Sequence, residues 1–61
     1  MTNNQLKRIF QEAMFNEFGF APALKDIVLL EATRDGLYVA ADVNGHEYEY
    51  KYFSGINKRE F

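Results

Sequence analysis

The sequence predicts an α+β fold in which one N-terminal helix packs on a three-stranded antiparallel β-meander. Three observations predict it. Apolar residues recur at helical spacing near the N-terminus, three strand-like runs follow, and two glycine-containing turn dipeptides separate those runs. All 61 residues are assigned to a single domain, because a chain of this length has room for only one core.

The predicted helix covers about residues 3–18. Thr2 and Gln5 have the spacing of a capping box, in which each side chain satisfies the free backbone N–H of the other. Gly19 supplies the left-handed residue that commonly ends a helix. Apolar residues at intervals of three and four predict one buried stripe. That stripe consists of Leu6, Ile9, Phe10, Ala13, Met14 and Phe18.

Phe15 points away from this stripe, and two interpretations are open for it. It either contacts Phe20 across the helix end, as residues flanking a left-handed glycine commonly do, or it is an exposed anchor for a partner. The contact is the favoured interpretation because that arrangement is so common at helix ends.

Two dipeptides mark the turns of the meander. Asp35-Gly36 and Asn44-Gly45 are strong signals of two-residue hairpin turns, because both central residues of such a turn need a positive φ. The residues after the last strand are predicted to be a loosely docked tail. The predicted strands cover about residues 26–34, 37–43 and 46–53, and the tail covers residues 54–61.

The Asn44-Gly45 turn fixes which residues of the second hairpin share a face. The apolar face is the predicted core face, covered by the helix. It pairs Val43 with His46, Ala41 with Tyr48, Val39 with Tyr50, and Leu37 with Tyr52. The opposite face pairs Asp42 with Glu47, Ala40 with Glu49, and Tyr38 with Lys51.

The register of the first strand has two solutions. A two-residue loop at Asp35-Gly36 turns Val28, Leu30 and Ala32 inward. A three-residue loop with a bulge at Gly36 turns Ile27, Leu29 and Glu31 inward instead. The first solution is favoured because it keeps the carboxylate of Glu31 out of the core.

Both faces of the first strand are apolar, yet it lies at the edge of a three-stranded meander. A strand that is apolar on both faces is typical of a sheet interior. The favoured register therefore leaves Ile27 and Leu29 on the second face, which needs a cover. Two covers are considered: the tail, through Ile56 and Phe61, or a second copy of the chain that contacts Ile27 and Leu29 as a homodimer.

Composition excludes several classes of site. The chain has no cysteine, so disulfides and cysteine-ligated metals are excluded, and no cofactor is expected. Its 7 basic residues are scattered among 9 acidic ones, which disfavours nucleic-acid binding. His46 and Ser54, the only histidine and serine, lie near opposite ends of the third strand. No nucleophile–base pair is therefore expected, and the chain is predicted not to be an enzyme.

No segment has the apolar length of a membrane span, and the N-terminus lacks a basic region followed by an apolar stretch. A cytoplasmic protein that does not bind membranes is therefore expected.

The polar sheet face is the candidate partner-binding site. Asp42 and Glu47 place like charges across neighbouring strands, which lowers stability and suggests that these charges serve in binding. Two ligands are too few for a metal site, so none is predicted. Two interpretations of this face are weighed equally: it docks on a basic protein, or it is an ordinary soluble sheet face. The candidate residues are Glu31, Tyr38, Asp42, Glu47 and Glu49.

From Leu6 to about Ile56, the order of features resembles a PepSY domain. The features are a helix, a strand ending in acidic residues, an Asp-Gly turn, a strand, an Asn-Gly turn, a Tyr- and Glu-rich strand, and Ser54-Gly55-Ile56. The resemblance implies a domain that binds or inhibits a protein partner, as in propeptides of secreted metallopeptidases and other cell-envelope proteins. The chain departs from the family at Lys51, where an Asp is usual, and in lacking an export signal.

These features favour a small non-enzymatic protein-binding module that inhibits or regulates a partner. Two alternatives from other classes are a nucleic-acid-associated protein and an accessory structural protein with no activity alone.

Overall fold

One helix packs against a four-stranded antiparallel sheet in the structure, a computed structural model that describes residues 1–59. The α+β class is confirmed, with one strand more than predicted. No described helix combines the length and apolarity needed to cross a membrane. The elements are α1 (Asn3–Phe18), a 3₁₀ turn (Leu24–Asp26), β1 (Ile27–Ala32), β2 (Tyr38–Val43), β3 (His46–Lys51) and β4 (Gly55–Lys58), in the sheet order β1-β2-β3-β4.

Helix α1 begins and ends by the predicted signals. The Gln5 N–H donates to Thr2 Oγ1 at 3.1 Å, and the Thr2 N–H donates to Gln5 Oε1 at 2.8 Å, which completes the capping box. Gly19 is left-handed, and its N–H donates to the Phe15 carbonyl at 2.9 Å. Helix α1 therefore starts and stops through local chemistry alone.

The apolar stripe of α1 faces the sheet as predicted, although it is buried unevenly. Leu6, Phe10 and Met14 are buried, whereas the ring of Phe18 stays partly exposed and lies 5.6 Å from that of Tyr48. Phe15 remains exposed, as does Phe20 after the helix. The helix is thus anchored by its middle turns and ends in exposed aromatic rings.

The β2–β3 hairpin has the predicted turn and register. Asn44 and Gly45 have φ values of 53° and 86°, and Val43 pairs with His46. The register continues with Ala41 opposite Tyr48 and with Asp42 opposite Glu47 on the other face. The local turn signal was therefore sufficient to assign both faces of this hairpin.

Strand β4 corrects the prediction of a loosely docked tail. It pairs with β3, and Ile56 lies opposite Tyr50 on the core face, where it is buried. Ile56 is thus part of the core and does not cover β1, which lies at the opposite edge of the sheet. Phe61, the other proposed cover, lies outside the described residues.

The favoured register of β1 is wrong. Ile27 pairs with Val43 and is 1% exposed, so Ile27 and Leu29 belong to the core and not to the second face. Leu30 is an extra residue in a bulge, after which Glu31 lies opposite Ala40 on the outer side. The two registers considered from the sequence turned either Ile27 and Leu29 outward or Glu31 inward. The bulge avoids both outcomes, since Ile27 and Leu29 face the core while Glu31 stays outside.

The β1–β2 loop is longer than the predicted two residues. The Thr33 N–H donates to the Tyr38 carbonyl at 2.9 Å, and the Gly36 N–H donates to the Thr33 carbonyl at 3.2 Å. Asp35 Oδ1 accepts hydrogen bonds from the Thr33 hydroxyl and the Leu37 N–H, and these bonds lower the pKa of the Asp35 carboxyl. Side-chain bonding by Asp35 thus stabilises a four-residue loop in place of a two-residue turn.

The prediction that the helix covers all three tyrosines of the third strand is wrong for Tyr52. Tyr48 and Tyr50 are half-buried and pack against the core, but Tyr52 is 61% exposed. Strand β3 ends at Lys51, and Tyr52 enters the turn to β4, beyond the residues that the core contacts. The buried core cluster consists of Leu6, Phe10, Met14, Ile27, Val39, Ala41, Val43 and Ile56.

Gly36 is the glycine whose substitution should lower the free energy of unfolding most. A Cβ there would lie 2.7 Å from Met1 Sδ and 2.9 Å from Ile9 Cδ1, and its φ is +76°. Gly45, with a φ of +86° and open space within 4 Å of where its Cβ would lie, is the matched control. We expect Gly36→Ala to lower the free energy of unfolding by about 2–3 kcal/mol and Gly45→Ala by about 1 kcal/mol. Urea denaturation measures both, and equal losses would show that the contacts at Gly36 are unimportant.

Ile56 tests whether β4 belongs to the cooperative fold. Ile56→Ala removes a buried aliphatic side chain and should lower the free energy of unfolding by about 2–4 kcal/mol. Asn57→Ala, at the exposed neighbouring position, should change it by less than about 0.5 kcal/mol. If thermal and urea denaturation found the two variants equally stable, β4 would not contribute to the core.

Candidate functional site

The side of the sheet that faces away from α1 is not covered by any described element, and we call it the outer face. Strand alternation assigns residues to it, because neighbours of core-facing residues point to the opposite side. All five predicted partner-binding residues lie on this face, which the register of β1, β2 and β3 brings together. They are Glu31, Tyr38, Asp42, Glu47 and Glu49.

Ala40 lies at the centre of the outer face and is covered by its neighbours. Ala40 is 0% exposed although no described layer covers it, because its methyl group lies between Glu31 on β1 and Glu49 on β3. Tyr38, two residues along β2, is half-buried on the same face. The long neighbouring side chains therefore cover the short central one.

An apolar edge continues this centre on β1. Val28, opposite Asp42, is 56% exposed, and Leu30 in the bulge is 46% exposed. These two residues occupy the outward positions that the sequence-based register gave to Ile27 and Leu29. Sequence reasoning recognised that β1 is apolar on both sides, but it assigned the two sides in reverse.

Glu49 is the most heavily bonded carboxylate of the face. It accepts a hydrogen bond from the Tyr38 hydroxyl at 3.4 Å, and it lies 3.7 Å from Lys51 Nζ and 3.8 Å from Arg59 Nε. Burial raises the pKa of Tyr38, Arg59 opposes this rise, and the charges of Glu49 and Glu31 add to it. The Tyr38 hydroxyl is therefore protonated at neutral pH and available as the donor to Glu49.

Arg59 is a member of this face that sequence reasoning missed. Its backbone N–H donates to the Glu47 carbonyl at 2.8 Å, so Arg59 lies alongside β3. The Ser54-Gly55 pair is a turn signal that would have indicated a returning strand. With Arg59 and Lys51 beside Glu49, the face carries both signs of charge.

Asp42 and Glu47 face each other but have different roles. Asp42 Oδ1 accepts the Gly45 N–H at 3.0 Å, so this carboxylate stabilises the Asn44-Gly45 turn. Neither Glu31 nor Glu47 forms an ion pair within residues 1–59. Glu31 and Glu47 are therefore the carboxylates of this face whose side chains have neither an ion pair nor a hydrogen bond among residues 1–59.

The geometry offers little to a metal ion or a nucleophile. Among residues 1–59, no three His, Asp or Glu side chains converge in a way that could hold a metal. His46 begins β3 and Ser54 follows its end, so the length of the strand separates them. The outer face can contribute apolar contact and attraction to cations.

Comparison of the chain with protein-family models, curated proteins and solved structures gave no match. Any function proposed for it therefore depends on the surfaces of the chain itself.

Asp42 should stabilise the hairpin, whereas Glu47 should not. We expect Asp42→Ala to lower the free energy of unfolding by about 1 kcal/mol, because it removes the acceptor of the Gly45 N–H. Asp42→Asn keeps that acceptor without the charge, and Glu47→Ala removes the opposing charge. Each of these two should change stability by less than about 0.5 kcal/mol in urea titrations. An equal loss in Asp42→Asn and Asp42→Ala would contradict the role of the hydrogen bond.

Proposed function

We propose that the chain is a non-enzymatic protein-binding module that docks its outer face on a basic surface of a partner and inhibits or regulates that partner. One observation carries the proposal. An uncovered sheet face combines exposed apolar side chains, Val28 and Leu30, with two carboxylates that have neither an ion pair nor a hydrogen bond within residues 1–59, Glu31 and Glu47. Exposed apolar side chains bordered by charged ones are typical of a protein interface.

Burial of the apolar residues of the face would supply favourable free energy of binding. Val28 and Leu30 are about half exposed, so covering them would contribute about 1 kcal/mol each. Tyr38 adds an aromatic surface whose hydroxyl is already bonded to Glu49, so its polar atom needs no new partner. The residues that a partner would cover are therefore held in place by the sheet before it arrives.

The charged part selects the partner. Glu31 and Glu47 can each receive a lysine or arginine, while Glu49 is neutralised within the fold. Charges at the edge of an interface mainly accelerate association and exclude like-charged proteins. The partner proposed here consequently presents an apolar patch bordered by basic residues.

A second copy of the chain would bind the same face less favourably than a basic partner. A two-fold dimer places the same patch on both subunits, so Glu31 and Glu47 of one copy would face the acidic residues of the other. Like charges that face each other destabilise such a contact. We therefore favour a basic partner over the homodimer.

The PepSY resemblance is compatible with this proposal, since one helix followed by antiparallel strands is present. In that family such domains bind or inhibit proteins. The present proposal nevertheless depends on the outer face and not on the resemblance.

Charge reversal tests the outer face. The tagged chain is used to recover partners from a lysate of its source, and the affinity for a purified partner is then measured by calorimetry at two salt concentrations. We expect Glu31→Lys and Glu47→Lys each to weaken binding by about tenfold or more, because attraction becomes repulsion. The wild-type affinity should fall as salt rises.

Asp26→Lys is the matched control, since it makes the same charge change in the 3₁₀ turn before β1. Its affinity should equal that of the wild type. Identical affinities for all three variants would contradict docking through the outer face. A wild-type dimer in sedimentation equilibrium that Leu30→Lys dissociates would show instead that a second copy covers β1.

A further inference from the structure

A groove lies on the other side of the sheet, between α1 and the β3–β4 hairpin. Two adjoining cavities of about 240 Å³ and 170 Å³ form it. They share Ala13 and Asn16 from the helix and Tyr50 from β3. Their common lining makes them two parts of one open groove.

The floor of the groove is apolar. Ala13 and Tyr50 are half-buried and pack against the core, and Ile56 of β4 is buried beneath the smaller cavity. Ile9 closes the larger cavity on the helix side. An aliphatic chain placed here would contact a methyl group and an aromatic ring.

The rim of the groove is acidic. Glu12 lines the larger cavity and Glu17 the smaller one, with Asn16 between them in both. No lysine or arginine lines either cavity within the described part of the chain, and neither glutamate forms an ion pair there. The Asn16 amide and the Tyr50 hydroxyl likewise make no hydrogen bond among residues 1–59. Each cavity thus joins an apolar floor to one carboxylate that has no cation partner among residues 1–59.

We propose that this groove binds the side chain of a lysine or arginine presented by a partner protein. The aliphatic stem of such a side chain suits the floor formed by Ala13 and Tyr50, and its charged head can approach Glu12 from the larger cavity or Glu17 from the smaller one. A cation above the ring of Tyr50 gains a further attraction. The inference rests on the proposal that the chain binds a protein, but it uses a different surface.

The lining disfavours other ligands. Glu12 and Glu17 repel an anion, and a neutral aliphatic ligand leaves both charges without a counter-ion. A bare metal ion would need more ligands than two carboxylates, and no third acidic side chain or histidine lines the groove among the described residues. A cation with an aliphatic stem is the chemical class that uses both the floor and the rim.

The probe is N-acetyl-lysine N-methylamide, titrated into the ¹⁵N-labelled chain at low salt and followed by two-dimensional NMR. We expect saturable shifts of the backbone amide signals of Ala13, Asn16, Tyr50 and Ile56. The Kd should be on the order of millimolar, because so small a ligand makes few contacts. The norleucine analogue has the same stem without the charge and should produce much smaller shifts.

Conservative variants identify the carboxylates. Glu12→Gln and Glu17→Gln keep the size of these exposed side chains, so the fold should be retained. Each should raise the Kd about threefold or more, and the double variant should abolish saturation. Asp26→Asn, at an exposed position in the 3₁₀ turn before β1, should leave the titration unchanged.

The groove would be rejected as a lysine or arginine site by any of three results. These are shifts that map elsewhere, equal shifts with the norleucine analogue, or saturation that persists in the double variant. A titration that reaches about 50 mM probe, well above the expected Kd, and produces no shifts would also overturn the proposal. Because the probe is a single amino-acid derivative, the result is independent of whether Glu31→Lys and Glu47→Lys affect a protein partner.

Discussion

The left-handed turn at Asn44-Gly45 is the constraint on which the rest of the structure depends. Because it contains only two residues, it fixes which side chains of β2 and β3 face each other and which share a side. Val39, Ala41 and Val43 then all point at the helix, and none of their outward neighbours can enter the core. A slip of one residue would exchange the two sides, burying the carboxylates and exposing the aliphatic residues. The Asp42 carboxylate supports the same turn from the outer face.

The division into two sides also decides where cations can bind. Once Tyr50 faces the helix, its ring becomes part of the floor of the groove, while Glu49, next to it in sequence, joins the outer face. Arg59 and Lys51 pair with Glu49 and the Gly45 N–H bonds to Asp42, so Glu31 and Glu47 are the outer-face carboxylates whose side chains have no partner among residues 1–59. Each side of the sheet therefore carries two glutamates without an ion pair among residues 1–59: Glu31 and Glu47 on the outer face, Glu12 and Glu17 at the groove.

Local signals predicted the elements whose structure is local. The capping box of α1, its ending at Gly19 and the β2–β3 hairpin follow from residues no more than a few positions apart. The register of β1 does not, because the bulge at Leu30 is selected by the burial of Ile27 and Leu29 against β2 and α1. Strand β4 is short and contributes one buried residue, Ile56, so it contains too few residues to show a strand-like alternation in the sequence. The outer-face residues were predictable because they depend on the hairpin, whereas the groove needs α1 and β4 in place.

The bulge at Leu30 links stability to the proposed function. Without it, the alternation after Leu29 would bring Glu31 to the core side, opposite the apolar stripe of the helix. The extra residue returns Glu31 to the outer face beside Ala40 and displays Leu30 there as well. It also interrupts the free edge of β1, which protects an apolar edge strand from pairing with other chains. The same irregularity thus keeps a charge out of the core, builds the apolar edge of the outer face, and opposes edge-to-edge association. This combination favours a partner that covers the outer face over one that extends the sheet.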